Sequence, residues 1–345
     1  MNTEPIDTDF LNFRLKEDVY SNTTEGLLLL KQGTLLTKKH IETLTKHKIN
    51  PFTVIDTTTR ISPEEETSLT SNISLLEEVK KVFQLILDHD DSQVDALLHS
   101  YEKIIVSSLN DHSIMNLINK KIEKNDYIYQ HSINVGIISA LIGKLLGMSR
   151  KQCHLLSQMG LFHDIGMLMI DPKILQKNTR LTHTEYKEIQ KHTTYGKSLL
   201  FSISQLDILV SRAALLHHAK INGKGYPSNR TEQDIPFMIQ VISVADAFHS
   251  MSSSYSYKKE KSFFEALNEL MNEARTHALH PAIVVPFINY MMRQQLFKKV
   301  QLSNNEIAEI IFIHPNEPNL PLIRIGDSYI DLRKETSLKI VALAE

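Results

Sequence analysis

Residues 126–166 read DYIYQHSINVGIISALIGKLLGMSRKQCHLLSQMGLFHDIG and predict two amphipathic helices joined by a short turn. In the first helix, apolar residues recur every three or four positions, and His131 falls on the same stripe. In the second, His163 shares a face with apolar residues, and Asp164 follows at the helix end, just before Gly166. An ionisable side chain on a buried face is costly unless it finds a partner. The stretch therefore predicts a helical domain whose ionisable side chains face inward and need binding partners there.

Three further groups of candidate ligands follow, and neighbouring groups lie 25 to 32 residues apart, or one helix plus one turn. His192 lies on the apolar side of a helix, His217 and His218 are adjacent, and Asp246 shares a helix face with isoleucines. A helical bundle can bring such groups together in its core. One inward histidine is usually a hydrogen-bonded core residue. The whole set of imidazoles and carboxylates instead favours a site for iron, manganese, zinc or nickel.

Composition sets the broad class of the protein. The 345 residues are 42% hydrophobic and 23% charged, which is typical of a soluble protein with two or three domains. A net charge of −2 gives no overall basic field for a nucleic-acid polymer or an anionic membrane. The single Cys153 excludes an intramolecular disulfide framework and fits a reducing compartment. No stretch is apolar enough to span a bilayer, and the N-terminus lacks the pattern of a signal peptide, so we expect a cytoplasmic location.

The chain divides by pattern into a helical centre and two small flanking modules. A capping-box sequence at Ser74 predicts the start of a helical connector, and a second at Thr182 predicts the start of the helix that carries His192. Short apolar runs separated by Gly or Pro indicate strands near both ends. We expect a mainly α fold with an N-terminal α+β module at 1–58, a linker at 59–73, the helical connector at 74–124, the ligand-bearing bundle at 125–295 and a β-rich C-terminal module at 300–345.

Individual elements can also be predicted. In the N-terminal module the pattern indicates strands at 27–31 and 52–55 with a helix at 37–47 between them. The connector contains three amphipathic stretches, the last at 114–122. In the C-terminal module the β-like runs are at 307–313, 320–325 and 338–343.

The motifs, taken in order, are specific. They are His131-Ser132, His163-Asp164-Ile165-Gly166, His192 with Gly196 four residues later, His217-His218, Gly223-Lys224-Gly225-Tyr226-Pro227 and Val244-Ala245-Asp246. Over residues 126–289 this pattern resembles the HD-GYP domain, the subgroup of HD phosphohydrolases named for its His-Asp and Gly-Tyr-Pro motifs. Residues 20–55 and 300–345 also resemble, less specifically, small modules that flank this domain in some members.

The resemblance implies an HD-type helical bundle that holds two, sometimes three, divalent transition metals, with iron or manganese typical. It implies a phosphodiesterase that opens cyclic di-GMP to the linear dinucleotide, and on to GMP in many members, by attack of a hydroxide bridging two metals. Some members take other cyclic dinucleotides. By motif position, Asp164 matches the carboxylate that bridges two ions. The implied metal ligands are His131, His163, Asp164, His192, His217, His218 and Asp246; the implied catalytic residues are Asp164 and His163; and the implied substrate-binding residues are Tyr226, Gly225, Lys224 and Lys258.

The sequence departs from the family pattern outside the metal ligands. Met167 stands where a phosphate-contacting lysine is usual, and Tyr255 stands where an arginine is usual. Ala219 and Asn222 replace a usual Glu and Asp, and His280 replaces the Asp of a later Phe-Asp-Pro motif. Loss of one preorganised donor can lower a rate by roughly a hundred- to a thousandfold. The pattern thus predicts an intact metal site with fewer groups to hold the phosphates.

Three functions fit these observations. The leading one is the dinuclear-metal phosphodiesterase acting on cyclic di-GMP. The second is a catalytically weakened HD-GYP domain that senses a nucleotide or binds a protein partner as a regulatory module, and the third is an HD-superfamily phosphohydrolase with another nucleotide substrate. The N-terminal module could bind a protein partner or simply cap the bundle, and the connector helices could form a homodimer or simply close the core beneath His131.

Overall fold

The computed structural model describes residues 13–21, 28–32, 34, 36, 38–49, 54–60, 63–110, 124–177, 179–227, 230–253 and 261–344. The chain divides into two compact units, Met1–Leu75 and Leu76–Glu345. None of the helices in these described ranges is long and apolar enough to cross a membrane.

The N-terminal unit is the small α+β module that the sequence predicts. Its strands pair antiparallel in two ribbons, β1 (Phe13–Leu15) with β4 (Ile55–Arg60) and β2 (Val19–Tyr20) with β3 (Leu28–Leu30). Helix α1 (Lys38–Lys46) turns Ile41 and Leu44 into a shared core with Leu15, Val19, Leu36 and Val54. The strand expected at 52–55 instead begins at Ile55 and continues through three threonines, whose β-branched side chains favour extended backbone.

A long helix, rather than an irregular loop, occupies most of the predicted linker at 59–73. Helix α2 (Pro63–Leu87) contains the capping-box sequence at Ser74 in its interior. Proline at the first helical position followed by three glutamates suits a helix N-terminus, which explains the earlier start. Helix α3 (Val94–Asn110) follows, and the third amphipathic stretch at 114–122 lies outside the described residues.

The helical bundle is built around one buried helix, α4 (Tyr127–Leu145), which packs against α5 (Arg150–Phe162) and α10 (Phe237–Ser252). Gly136 of α4 meets Gly160 of α5 so closely that a Cβ on Gly160 would lie 2.6 Å from the Gly136 Cα. The same glycine leaves room for Tyr101 of α3, whose hydroxyl donates to the Ile133 carbonyl at 2.8 Å. The other helices of the bundle are α6 (Pro172–Leu175), α7 (His183–Gln190), α8 (His192–Phe201), α9 (Ile208–Leu216), α11 (Phe263–Arg275) and α12 (Pro281–Arg293).

The C-terminal module is an antiparallel sheet of five strands, β5 (Lys299–Leu302), β6 (Ile307–Phe312), β7 (Leu322–Ile325), β8 (Ser328–Asp331) and β9 (Ile340–Leu343). Their order in the sheet is β8-β7-β6-β5-β9. The three predicted strands are confirmed, at β6, β7 and β9. The sequence did not indicate β5 or β8, because each is four residues long and half polar. The mainly α class with small β-containing modules at both ends is confirmed.

Candidate metal centre

His163 and Asp164 follow the C-terminal end of α5. Ser149 begins this helix with a capping box, and His163 caps its C-terminus. A short 3-10 turn, Ile165–Met169, then lies directly against the start of α8. A Cβ on Gly166 would lie 2.0 Å from the carbonyl oxygen of His192. Glycine therefore allows the approach that brings Asp164 and His192 together.

The remaining ligand groups come from helix ends and faces. The capping box at Thr182 is confirmed, but the helix expected to run on through His192 is interrupted at Lys191, so His192 is the first residue of α8. His217 caps the C-terminus of α9 and His218 follows it. Asp246 lies in the middle of α10 and is largely buried.

All seven predicted metal ligands meet at one place. Within each of three groups, the candidate ligand atoms lie within 4.8 Å of one another. The groups are Asp164 with His192, His217 and His218; His131 with His163 and Asp164; and His163 with His217 and Asp246.

Asp164 lies between two sets of imidazoles. Its Oδ1 is 3.3 Å from His192 Nε2 and 3.4 Å from His217 Nε2. Its Oδ2 is 3.6 Å from both His131 Nε2 and His163 Nε2. The second carboxylate, Asp246, approaches His131 Nε2 at 3.2 Å through one oxygen and His218 Nδ1 at 3.7 Å through the other. Two carboxylates thus connect two neighbouring ligand groups.

Hydrogen bonds at the far edge of three rings turn their Nε2 atoms toward the site. The Nδ1–H groups of His163, His192 and His217 donate to the backbone carbonyls of Gly160, Ile189 and Ala213 at 2.7, 2.6 and 3.1 Å. In the neutral rings, each Nε2 then carries a lone pair. Yet His192 Nε2 and His217 Nε2 face each other at 3.3 Å.

Cations fit this arrangement. Facing lone pairs repel unless a positive charge lies between them, and Asp164 Oδ1 is buried without a hydrogen-bond partner among the described residues. Imidazole nitrogen and carboxylate oxygen are ligands for iron, manganese and zinc. The donor set and its unsatisfied atoms are therefore those of a metal centre.

The electrostatics of the site agree with this fit. Burial lowers the pKa of His163 to about 4. Burial alone would raise the pKa of Asp164, but His163, His217 and His192 hold it well below its usual value. The pKa of His217 would fall on burial, and the Asp164 and Asp246 carboxylates instead raise it. Two ionised carboxylates in a buried cluster of imidazoles favour positive charge at this place.

The metal centre opens into a cleft of about 600 Å³, a volume suited to a small-molecule ligand. Of the predicted substrate-binding residues, Tyr226, Gly225 and Lys224 line the cleft, while Lys258 lies outside the described residues. The centroids of the Tyr226 and His218 rings are 4.7 Å apart. The backbone N–H of Tyr226 donates to the His218 carbonyl. A Cβ on Gly225 would lie 2.2 Å from that same oxygen, so the loop packs directly on the paired histidines.

Comparison with known proteins agrees with the motifs. The family model described as "HD domain" matches residues 113–283. The cyclic di-GMP phosphodiesterase PdeB of Borreliella burgdorferi is 28% identical over 64% of this chain and 58% of its own length. The 3'3'-cGAMP-specific phosphodiesterase 3 of Vibrio cholerae is 28% identical over 57% of this chain and 39% of its own length. The chain belongs to the HD-GYP family.

A solved relative supports the fold. An HDG"Y"P protein of Bdellovibrio bacteriovorus aligns with a TM-score of 0.56 and 19% identity, over 82% of this chain and 97% of its own. The matched region spans about half the length of the two curated relatives.

One departure from the HD-GYP pattern lies in the wall of the cleft. Met167, which replaces the usual lysine, is half-buried and lines the cleft. Tyr255, which replaces the usual arginine, lies outside the described residues. The motifs therefore indicate a complete metal centre beside a wall from which one usual cation is missing.

Sequence reasoning missed two ion pairs of this wall and one residue beneath the metal centre. Two lysines of the wall pair with glutamates of α11, Lys220 with Glu273 and Lys261 with Glu269. No local pattern indicates the first pair, since its two residues lie 53 positions apart in the chain, whereas those of the second lie 8 apart. His249 is fully buried beside His131, and its signal was available: it lies three residues after Asp246, on the same side of α10.

Proposed function

We propose that this chain is a dinuclear-metal phosphodiesterase that hydrolyses cyclic di-GMP to the linear dinucleotide, with Fe or Mn as the metal. The observation that carries the proposal is Asp164, whose two carboxylate oxygens face two separate sets of imidazoles at the inner end of the cleft. The names of the HD-GYP relatives, which act on cyclic di-GMP and 3'3'-cGAMP, support the substrate class.

Each ligand group has a distinct part. His192, His217 and His218 would hold one cation with Asp164, and His131 and His163 would hold the other, with Asp246 beside both groups. Two divalent cations so held would lower the pKa of water and neutralise charge on the phosphate oxygens. Hydrolysis then adds water across one phosphorus–oxygen bond, and the released ribose oxygen takes up a proton.

The cleft wall would hold the substrate. Lys220, Lys224 and Lys261 bring positive charge to the cleft, although the first and last are paired with glutamates. The Tyr226 ring, held against His218, offers an aromatic face on which a base can stack. Because Met167 contributes no charge, we expect weaker substrate binding than the complete family pattern would give.

The wall favours a second candidate, a domain that binds a cyclic dinucleotide and turns it over slowly or not at all. Of the three lysines that line the cleft in the described part of the chain, two are already compensated by carboxylates, and Met167 replaces a cation. Tight metal binding with nucleotide binding but no product would indicate this sensor.

The test is hydrolysis of cyclic di-GMP, and of 3'3'-cGAMP, by protein purified without oxygen and supplied with Fe(II) or Mn(II). Asp164→Asn keeps the shape of the side chain and removes its charge, and we expect at least about a hundredfold loss of rate. Asp207→Asn is the matched control, because Asp207 caps α9 through its side chain and Asn caps equally well. Equal rates for Asp164→Asn and the unaltered chain would contradict the proposal.

A further inference from the structure

A row of hydrogen-bonded side chains lies behind His131, on the side away from the other ligands. The Nδ1 atoms of His131 and His249 are 2.8 Å apart. The Nε2 of His249 is 2.9 Å from the Nδ2 atom of Asn134, and the Oδ1 atom of Asn134 accepts from Gln130 Nε2 at 3.2 Å. His131, His249 and Asn134 are buried. We name the row Gln130–Asn134–His249–His131 the histidine relay.

His131 differs from the other ligands in what faces its Nδ1. His163, His192 and His217 each face a backbone carbonyl, which can only accept. A neutral imidazole, by contrast, has one N–H and one acceptor nitrogen, so His249 can either donate to His131 or accept from it. The state of His249 therefore decides which nitrogen of His131 carries the hydrogen.

His131 can bind a metal only when the hydrogen bonds of the histidine relay are donated in one of the two possible directions. Its Nε2 faces the site, 3.3 Å from His163 Nε2 and 3.2 Å from Asp246 Oδ1. If His249 donates, the hydrogen of His131 is on Nε2 and points at Asp246. If His249 accepts, the hydrogen is on Nδ1 and the lone pair of Nε2 is available to a cation.

We propose that His249 is the positioning residue of His131, accepting its Nδ1–H while the amide oxygen of Asn134 accepts the Nε2–H of His249. This direction requires a half-turn of the Asn134 amide, because the oxygen and nitrogen of an amide occupy nearly the same space and their assignment follows from the hydrogen-bond network. The Asn134 NH₂ group would then donate to the side-chain oxygen of Gln130, whose amide turns likewise. The inference rests on the metal site of the proposed function but not on its substrate.

A second set of contacts holds α4 and α10, which carry His131 and His249, in place. The Tyr127 ring stacks on His131, with centroids 5.5 Å apart and planes 13° from parallel. The hydroxyls of Tyr127 and Ser253 are 3.2 Å apart, and Ser253 donates to the His249 carbonyl at 2.6 Å. Contacts between α4 and α10 thus fix the face of the His131 ring, and His249 holds its edge.

The test compares two substitutions of similar size, His249→Asn and His249→Leu. The Asn side-chain oxygen can take the place of Nδ1 as an acceptor, whereas Leu offers none. The measurement is Mn(II) stoichiometry and affinity of the full chain, with circular dichroism and Tm as a check on folding. We expect His249→Leu to lower the affinity for one of two Mn(II) ions by about 10- to 100-fold. The affinity of His249→Asn should stay within about threefold of that of the unaltered chain.

Two results would overturn the inference. One is unchanged Mn(II) affinity in a folded His249→Leu protein. The other is equal weakening by His249→Asn and His249→Leu, which would mean that the imidazole acts through packing alone.

Substitution of Asn134 keeps the inference testable if His249→Leu does not fold. Asn134→Asp presents only oxygen to His249 and should retain Mn(II) affinity, while Asn134→Leu should lower it. The reverse order would overturn the stated direction of the relay. A chain that binds two ions but does not hydrolyse cyclic di-GMP would contradict the proposed function alone, whereas a chain that binds no Mn(II) would overturn both.

Discussion

The two ends of the cleft are built differently. At the metal end, the candidate ligands come from buried helix faces and helix ends, and three imidazoles are oriented by backbone carbonyls. Along the wall, the charged groups are long, partly exposed side chains, and two lysines are already paired with glutamates. Backbone packing therefore fixes the metal end, while the wall depends on a balance of charges that single substitutions can shift.

The largest effect should come from the packing that forms the metal end. In Gly166→Ala the new Cβ would lie 2.0 Å from the His192 carbonyl oxygen and 2.5 Å from the Gly196 backbone nitrogen. Backbone cannot yield as a side chain can, so Asp164 and His192 should move apart. Because small misplacements of reacting groups are costly, we expect at least about a hundredfold loss of activity. Mn(II) stoichiometry measured on the same protein should fall below that of the unaltered chain.

Gly196→Ala is the matched control on the other side of this contact. Its Cβ would meet the Ala214 Cβ at 3.2 Å, a tight contact that a small shift relieves. We expect metal stoichiometry to be retained. If the two glycine variants behave alike, the close approach of the 3-10 turn to α8 does not set the ligand geometry.

An intermediate effect should come from restoring a charge to the wall. Met167 lines the cleft and is half-buried, so a lysine there could reach a bound phosphate. A hydrogen bond to a charged group contributes about 1.5–3 kcal/mol, and we expect Met167→Lys to raise kcat/KM for cyclic di-GMP by about tenfold or more. Met167→Leu, which adds no charge, should leave it unchanged. A loss of activity in Met167→Lys would mean that the wall is not short of positive charge.

The metal end was predictable because its signals are local. Apolar periodicity placed His131 and His163 on inward faces, and capping boxes locate helix starts wherever the side-chain cap forms, as at Thr182. The same signal failed at Ser74, where proline and glutamates upstream extend α2 to Pro63. A capping-box sequence permits a helix start but cannot prevent a helix from running through it.

The wall and the histidine relay were not predictable, for a physical reason. The Lys220–Glu273 pair joins a loop to α11, and a pattern along one helix carries no record of such a partner. The spacing of His249 from Asp246 indicates an inward-facing histidine, but its role depends on the ring nitrogen of His131, which comes from another helix. Contacts between distant segments need the fold before they can be named.

The smallest effect should come from the exposed lysine of the wall. Lys224 lines the cleft and makes no ion pair with any residue that the structure describes. Exposed charges contribute up to about 1 kcal/mol, so Lys224→Gln should raise KM for cyclic di-GMP about two- to fivefold with kcat unchanged. Because salt screens exposed charges, the difference should shrink as ionic strength rises. Lys173→Gln, an exposed lysine that does not line the cleft, is the control, and an equal rise in KM for both variants would mean that overall charge, rather than the wall, attracts the substrate.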